Sequence, residues 1–121
     1  MWNPHFHLDP INDIKISKRI ADPLSLLLPK SSEVFNKNYK LFSEKVQTPL
    51  KDGGKRMKPF ARLKIVTYHR IWSYFFRRFG LQYGGDIEIK PRLPPTAKHL
   101  KILVDTMNQN NINVVIQANF S

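Results

Sequence analysis

The sequence predicts an α/β protein: a parallel-sheet lobe in β-α-β-α-β order, preceded by long connecting helices. Three observations carry this reading. The second half alternates short β-branched runs with amphipathic helical stretches. That order calls for parallel strands joined by right-handed crossovers. The first half places apolar residues three and four apart, with helix-starting residues ahead of each stretch.

The opening segment, Asn3-Pro-His-Phe-His-Leu-Asp-Pro10, reads as a loop that hands over to a helix, with Asp9 as N-cap and Pro10 in the first turn. Ile16, Ile20, Leu24 and Leu27 then form one stripe, and Pro23 inside it predicts a kink or a broken turn. Pro29 ends the segment. A second helix starts after Ser31 or Ser32, with Glu33 in its first turn and Phe35, Tyr39, Phe42 and Val46 as its stripe. Pro49 and Gly53-Gly54 interrupt it, and Lys51, Lys55, Arg56, Lys58, Arg62 and Lys64 read as a basic connector.

Residues 63–68 are β-branched and apolar, a buried strand. Trp72, Phe75, Phe76 and Phe79 follow at helical spacing, and Gly80 stands where a left-handed C-cap is common. Residues 82–89 give a second strand around Gly84-Gly85. After a stiff proline loop, Thr96 caps a helix with the stripe Leu100, Leu103, Val104 and Met107, and residues 112–118 form a third strand. Parallel sheets are normally covered on both faces and have more than three strands. The chain therefore reads as a truncated part of a larger protein.

Composition narrows the chemistry. Of 121 residues, 41% are hydrophobic and 12% aromatic, enough for a modest core and unlike a disordered chain. No apolar run reaches the length of a membrane span, and Met1-Trp2-Asn3-Pro4-His5 has neither the basic start nor the apolar stretch of a signal peptide. The absence of cysteine leaves imidazole and oxygen as the available transition-metal ligands. A net charge of +11 favours anionic partners, so a basic nucleic-acid-binding domain is the main rival reading. The spread of lysines and arginines along the chain weakens it. Enzymatic motifs are missing: no Gly-rich phosphate loop, no nucleophile elbow, no His-Glu-x-x-His helix, and nine scattered acidic residues. The chain is not read as an enzyme.

Of four histidines, His99 lies beside Lys98 and Lys101, away from the Leu100 stripe, and reads as a surface residue. His69 directly follows a predicted strand, where ligands gather in open α/β sheets. Its bland alternative is a histidine bonded to nearby backbone. His5 and His7 are two apart in a proline-bracketed loop; either suits a metal ion, or a hydrogen bond to Asp9.

Four segments, in order, resemble the metal-binding solute-binding proteins of ABC importers, which deliver zinc or manganese to a membrane permease and some of which were described as adhesins. Thr67-Tyr-His-Arg-Ile-Trp-Ser-Tyr-Phe75 with Arg78-Phe-Gly-Leu81 resembles the start of the second lobe. Asn3-Pro-His-Phe-His-Leu-Asp-Pro10 resembles the Asn/Asp-Pro-His loop. Leu93-Pro-Pro-Thr-Ala-Lys-His-Leu100 resembles the Pro-Pro-Ser/Thr segment, and Asn113-Val-Val-Ile-Gln-Ala-Asn-Phe120 the strand after it. The resemblance implies a two-lobed protein with a rigid connecting helix and an ion held between the lobes. It makes His5 and His69 metal ligands and leaves His7 a neighbour.

On that pattern, residues 1–30 end the first lobe, 31–62 form the connecting helix and basic linker, and 63–121 form a truncated second lobe. A further histidine would lie upstream and a carboxylate downstream. The resemblance implies zinc or manganese as cargo, an ABC permease as partner, and a periplasmic or cell-surface location. Zinc accepts imidazole nitrogen and carboxylate in near-tetrahedral sites, and such a donor set also takes manganese. Imidazole binds metal when neutral, so capture weakens as pH falls through about 6.5.

Overall fold

Asp9 starts the first long helix as its sequence predicts: its side chain accepts a hydrogen bond from the Ile11 N–H at 3.2 Å, and Pro10 occupies the first turn. The computed structural model describes residues 3–119 and separates them into two units, one of residues 6–58 and one of residues 3–5 with 59–119. Phe120, the last residue of the fourth quoted segment, lies outside the described residues.

In the first unit, helix α1 (Pro10–Leu27) packs on helix α2 (Ser32–Met57). Both helices run through their internal prolines, so of the kink or broken turn expected at Pro23 the broken turn is corrected, as is the interruption at Pro49. A proline denies a hydrogen bond to the carbonyl four residues back. Arg19 and Pro23, like Lys45 and Pro49, are exposed residues, so both prolines stand on solvent-facing turns. Gly53 and Gly54 also remain helical, which makes Lys51, Lys55 and Arg56 part of α2 and not a connector. Basic side chains in a last turn suit the negative end of the helix dipole.

The expected stripe on α1 is displaced. Ile14 and Ala21 are the buried residues, whereas Ile20 and Leu27 are 56% and 75% exposed. Small residues let the helices approach, and Ser43 is the buried residue of α2. The Lys18 ammonium lies 5.6 Å from the centre of the Tyr39 ring, tying α1 to α2.

The second unit is the predicted α/β layer. Strands β1 (Lys64–Thr67), β2 (Gln82–Asp86) and β3 (Val115–Ile116) form a parallel sheet in the order β2-β1-β3, each strand shorter than the sequence suggests. Helix α3 (Ser73–Phe79) joins β1 to β2 and ends on Gly80, in the left-handed conformation (φ 69°) expected for it. Helix α4 (Ala97–Gln109) joins β2 to β3, with Thr96 Oγ1 accepting from the His99 N–H at 3.2 Å. Val66 is fully buried and packs in one cluster with Leu103 and Ile112.

The β1–β2 pairing skips one residue. Ile65 faces Tyr83, but Val66 faces Gly85, so Gly84 is the extra residue of a bulge. A Cβ on Gly84 would lie 2.9 Å from Ile112 Cδ1 and 3.1 Å from the Ile65 carbonyl oxygen, and Gly85 has φ 134°. Only glycine suits these two places.

The sequence placed Leu103 and Val104 on one buried stripe, but Leu103 is 7% and Val104 53% exposed. Leu103→Ala is expected to cost about 2–5 kcal/mol of stability and Val104→Ala less than about 1 kcal/mol. Urea unfolding of the two variants checks this.

Candidate metal site

His69 leaves the end of β1, and its surroundings follow from the register just described. Thr67 is paired with Asp86. The backbone ladder runs on past the strand ends: Ile87 N–H donates to the Thr67 carbonyl at 2.8 Å and Glu88 N–H to the Tyr68 carbonyl at 2.9 Å. Side chains two residues apart along an extended chain share a face. Thr67 Oγ1 accordingly donates to Asp86 Oδ1 at 2.6 Å, and one step further His69 Nδ1 meets Glu88 Oε2. The Tyr68 ring lies edge-on to the His69 imidazole, centroids 4.6 Å apart.

Glu88 is held from its other oxygen as well. Oε1 accepts from the Arg92 N–H at 2.9 Å. Arg92 has φ 68°, a left-handed backbone that few residues other than glycine adopt. That conformation directs a backbone donor at the carboxylate, which is only 12% exposed.

Asn3 brings the N-terminal loop to this place. Its Nδ2 donates to the Ile71 carbonyl at 3.5 Å and to Ser73 Oγ at 3.3 Å, while its Oδ1 accepts from the His5 N–H at 2.9 Å. His5 and His69 consequently line one cavity of about 930 Å³, together with Glu88, Arg70, Lys90 and Arg92. Both histidines belong to the same unit, although a stretch of more than sixty residues separates them along the chain. Among the described residues, no three histidine, aspartate or glutamate side chains converge closely enough to hold an ion. His7 is exposed in a short 3-10 turn (Phe6–Leu8), its ring edge-on to Phe6.

His99 departs from its expected surface role. It is partly buried, and its Nε2 lies 2.8 Å from the Asp86 carbonyl oxygen, linking α4 to the end of β2. The sequence reading also missed Asp86 and Glu88. Asp86 is 7% exposed and gathers Thr67, the Tyr83 hydroxyl and, at 3.6 Å, Arg70 Nε. The Arg70 guanidinium lies 5.1 Å from the centre of the Tyr83 ring. Burial, then the hydrogen bond to Asp86 and its negative charge, push the Tyr83 hydroxyl up to about 12, against the opposing charge of Arg70.

A family model described as "ZnuA: Zinc-uptake complex component A periplasmic" matches residues 2–121. The chain belongs to this family. Among characterised ZnuA-type proteins, it is 29% identical over 104 residues to the high-affinity zinc uptake system protein ZnuA of Brucella abortus (strain 2308), an alignment covering 86% of this chain and 31% of that protein. It is 28% identical over 112 residues to the manganese ABC transporter substrate-binding lipoprotein PsaA of Streptococcus mitis, covering 91% of this chain and 36% of that one. A crystal structure of ZnuA superimposes with a TM-score of 0.81 at 28% identity, covering 95% of this chain and 44% of the other. The chain thus spans about a third of the length of these two relatives. The resemblance expected from four short segments extends over nearly the whole sequence. These relatives are named for zinc and manganese, and none of the names carries a nucleic-acid role.

Tyr83 is expected to ionise near pH 12, and Asp86→Asn to lower that value while leaving it raised, because the charge of Asp86 is removed and burial, the larger cause, remains. Since the folded value lies above the unfolded one, the contribution to stability is present below pH 10 and is lost as pH rises from 10 to about 12. Absorbance titration of tyrosinate in both proteins, alongside Tyr83→Phe, checks this.

Proposed function

We propose that this chain takes part in capturing a divalent transition-metal ion, zinc or manganese, for delivery to an ABC-type membrane importer, with His5 and His69 among the ligands. One observation carries the reading: two histidines far apart in sequence line a single cavity at the carboxyl ends of β1 and β2. Membership of the ZnuA family supplies the cargo class. Two neutral imidazoles suit zinc, and oxygen donors added to them admit manganese. Two such ligands alone hold an ion weakly, with water at the remaining positions.

The same reading assigns residues 1–30 to the end of the first lobe, 31–62 to the connecting helix and linker, and 63–121 to the second lobe of a two-lobed protein. A periplasmic or cell-surface location and a permease partner belong to the same proposal, and the family model's description as periplasmic supports the first.

Calorimetric titration with zinc and with manganese tests the assignment. His5→Ala and His69→Ala are each expected to weaken binding tenfold or more, about 1.4 kcal/mol per tenfold. His7→Ala is expected to change it little. Unaltered affinity in His69→Ala would remove His69 from the ligand set.

A further inference from the structure

We propose that Glu88 is a positioning residue for the metal site: it holds the His69 ring through Nδ1 and so makes Nε2 the ligating nitrogen. The inference rests on the assignment of His69 as a ligand, and it names a residue that assignment does not contain. Its ground is geometric. His69 Nδ1 contacts Glu88 Oε2, and an ionised carboxylate can only accept, so Nδ1 carries the proton of the neutral ring. The lone pair of that tautomer then lies on Nε2. Metal-bound histidines characteristically donate their other ring N–H to a carboxylate or carbonyl, which fixes both the tautomer and the orientation.

The carboxylate is itself restrained. Arg92 N–H fixes Oε1, the β1–β2 ladder fixes the backbone through Glu88 N–H, and little of the side chain meets solvent. The Tyr68 edge limits rotation of the imidazole from another side. A ring held at two places enters metal binding with less orientational freedom to lose.

The experiment uses the 121-residue chain and zinc as the probe. Long-range nitrogen–proton correlation spectra of metal-free protein at about pH 8, where imidazole is neutral, distinguish the two tautomers. The wild type is expected to show the Nδ1–H form at His69, and Glu88→Ala to shift the population toward Nε2–H. Zinc affinity is expected to fall about 10–100-fold in Glu88→Ala. Glu88→Gln keeps an acceptor oxygen at the same place, so it is expected to retain the Nδ1–H form and to lose less affinity. It also carries the test should the alanine variant fail to fold.

An Nε2–H form in the wild type overturns the proposal, as does a Glu88→Ala protein whose tautomer or zinc affinity is unchanged. Equal losses of affinity in the alanine and glutamine variants, with the tautomer unmoved, overturn it in favour of direct ligation by Glu88. The tautomer is read without metal, so it stands apart from the His69→Ala titration. Unchanged zinc affinity in His69→Ala sinks the ligand assignment and this proposal together, while a Glu88-dependent tautomer would still report the contact itself.

Discussion

A single extra residue in β2 decides what stands beside His69. Because Gly84 is skipped, Thr67 faces Asp86, and the same register carried two residues further sets Glu88 opposite His69. Without the bulge, the partner of His69 would be Ile87, an apolar side chain with nothing to offer an imidazole. A one-residue change of register moves every side chain to the other face, so the chemistry of the strand ends rests on this irregularity. Gly84 and Gly85 make it possible: the first has no room for a Cβ beside Ile65 and Ile112, and the second takes a backbone angle that a side chain disfavours. The aliphatic cluster of Val66, Leu103 and Ile112 packs around the bulge and fixes it.

Beside it, the same register builds a second, drier polar group. Asp86 is buried, and a buried carboxylate is costly unless its oxygens are satisfied. Thr67 and Tyr83 donate to separate oxygens, and Arg70 supplies positive charge from the outer side. The Asp86 backbone carbonyl meets His99 from α4. Two adjacent acidic residues on one face thus differ in role. Asp86 ties β1, β2 and α4 together, whereas Glu88, two residues further out, is turned to the cavity with His5 and His69.

Much of this was legible in the residues. The order of strands and helices, the Asp9 and Thr96 caps and the Gly80 C-cap follow from local chemistry, which sequence states directly. What was not legible depends on partners. Pro23 and Pro49 look like helix breakers, yet both stand on exposed turns of helices that continue through them. The large residues Ile20 and Leu27 suggest the buried face of α1, but Ala21 takes it. His99 sits among lysines and still turns inward, because Thr96 starts α4 so that its third residue reaches the end of β2. The Asp86-Ile-Glu88 alternation was a signal for a polar face, but only the bulge tells which residues of β1 it meets. His5 and His69 could be singled out from motif resemblance; that they line one cavity came from the structure, through the Asn3 contacts.

A chain of net charge +11 is an unexpected host for a divalent cation if its charges act as one field. They do not. At physiological ionic strength the Debye length is about 8 Å, so exposed charges beyond that distance are largely screened, and the balance is set by groups lining the cavity. Three of those are basic: Arg70, Lys90 and Arg92. Arg70 is engaged with Asp86 and the Tyr83 ring, and Lys90 and Arg92 are exposed. Glu88 is the one carboxylate among the described lining residues, in contact with an imidazole and shielded from water. A charge so placed acts on a nearby ion with less screening than the solvated cations around it. On the proposed assignment, Glu88 would serve twice, orienting the ring and supplying negative charge among the basic side chains that line the cavity.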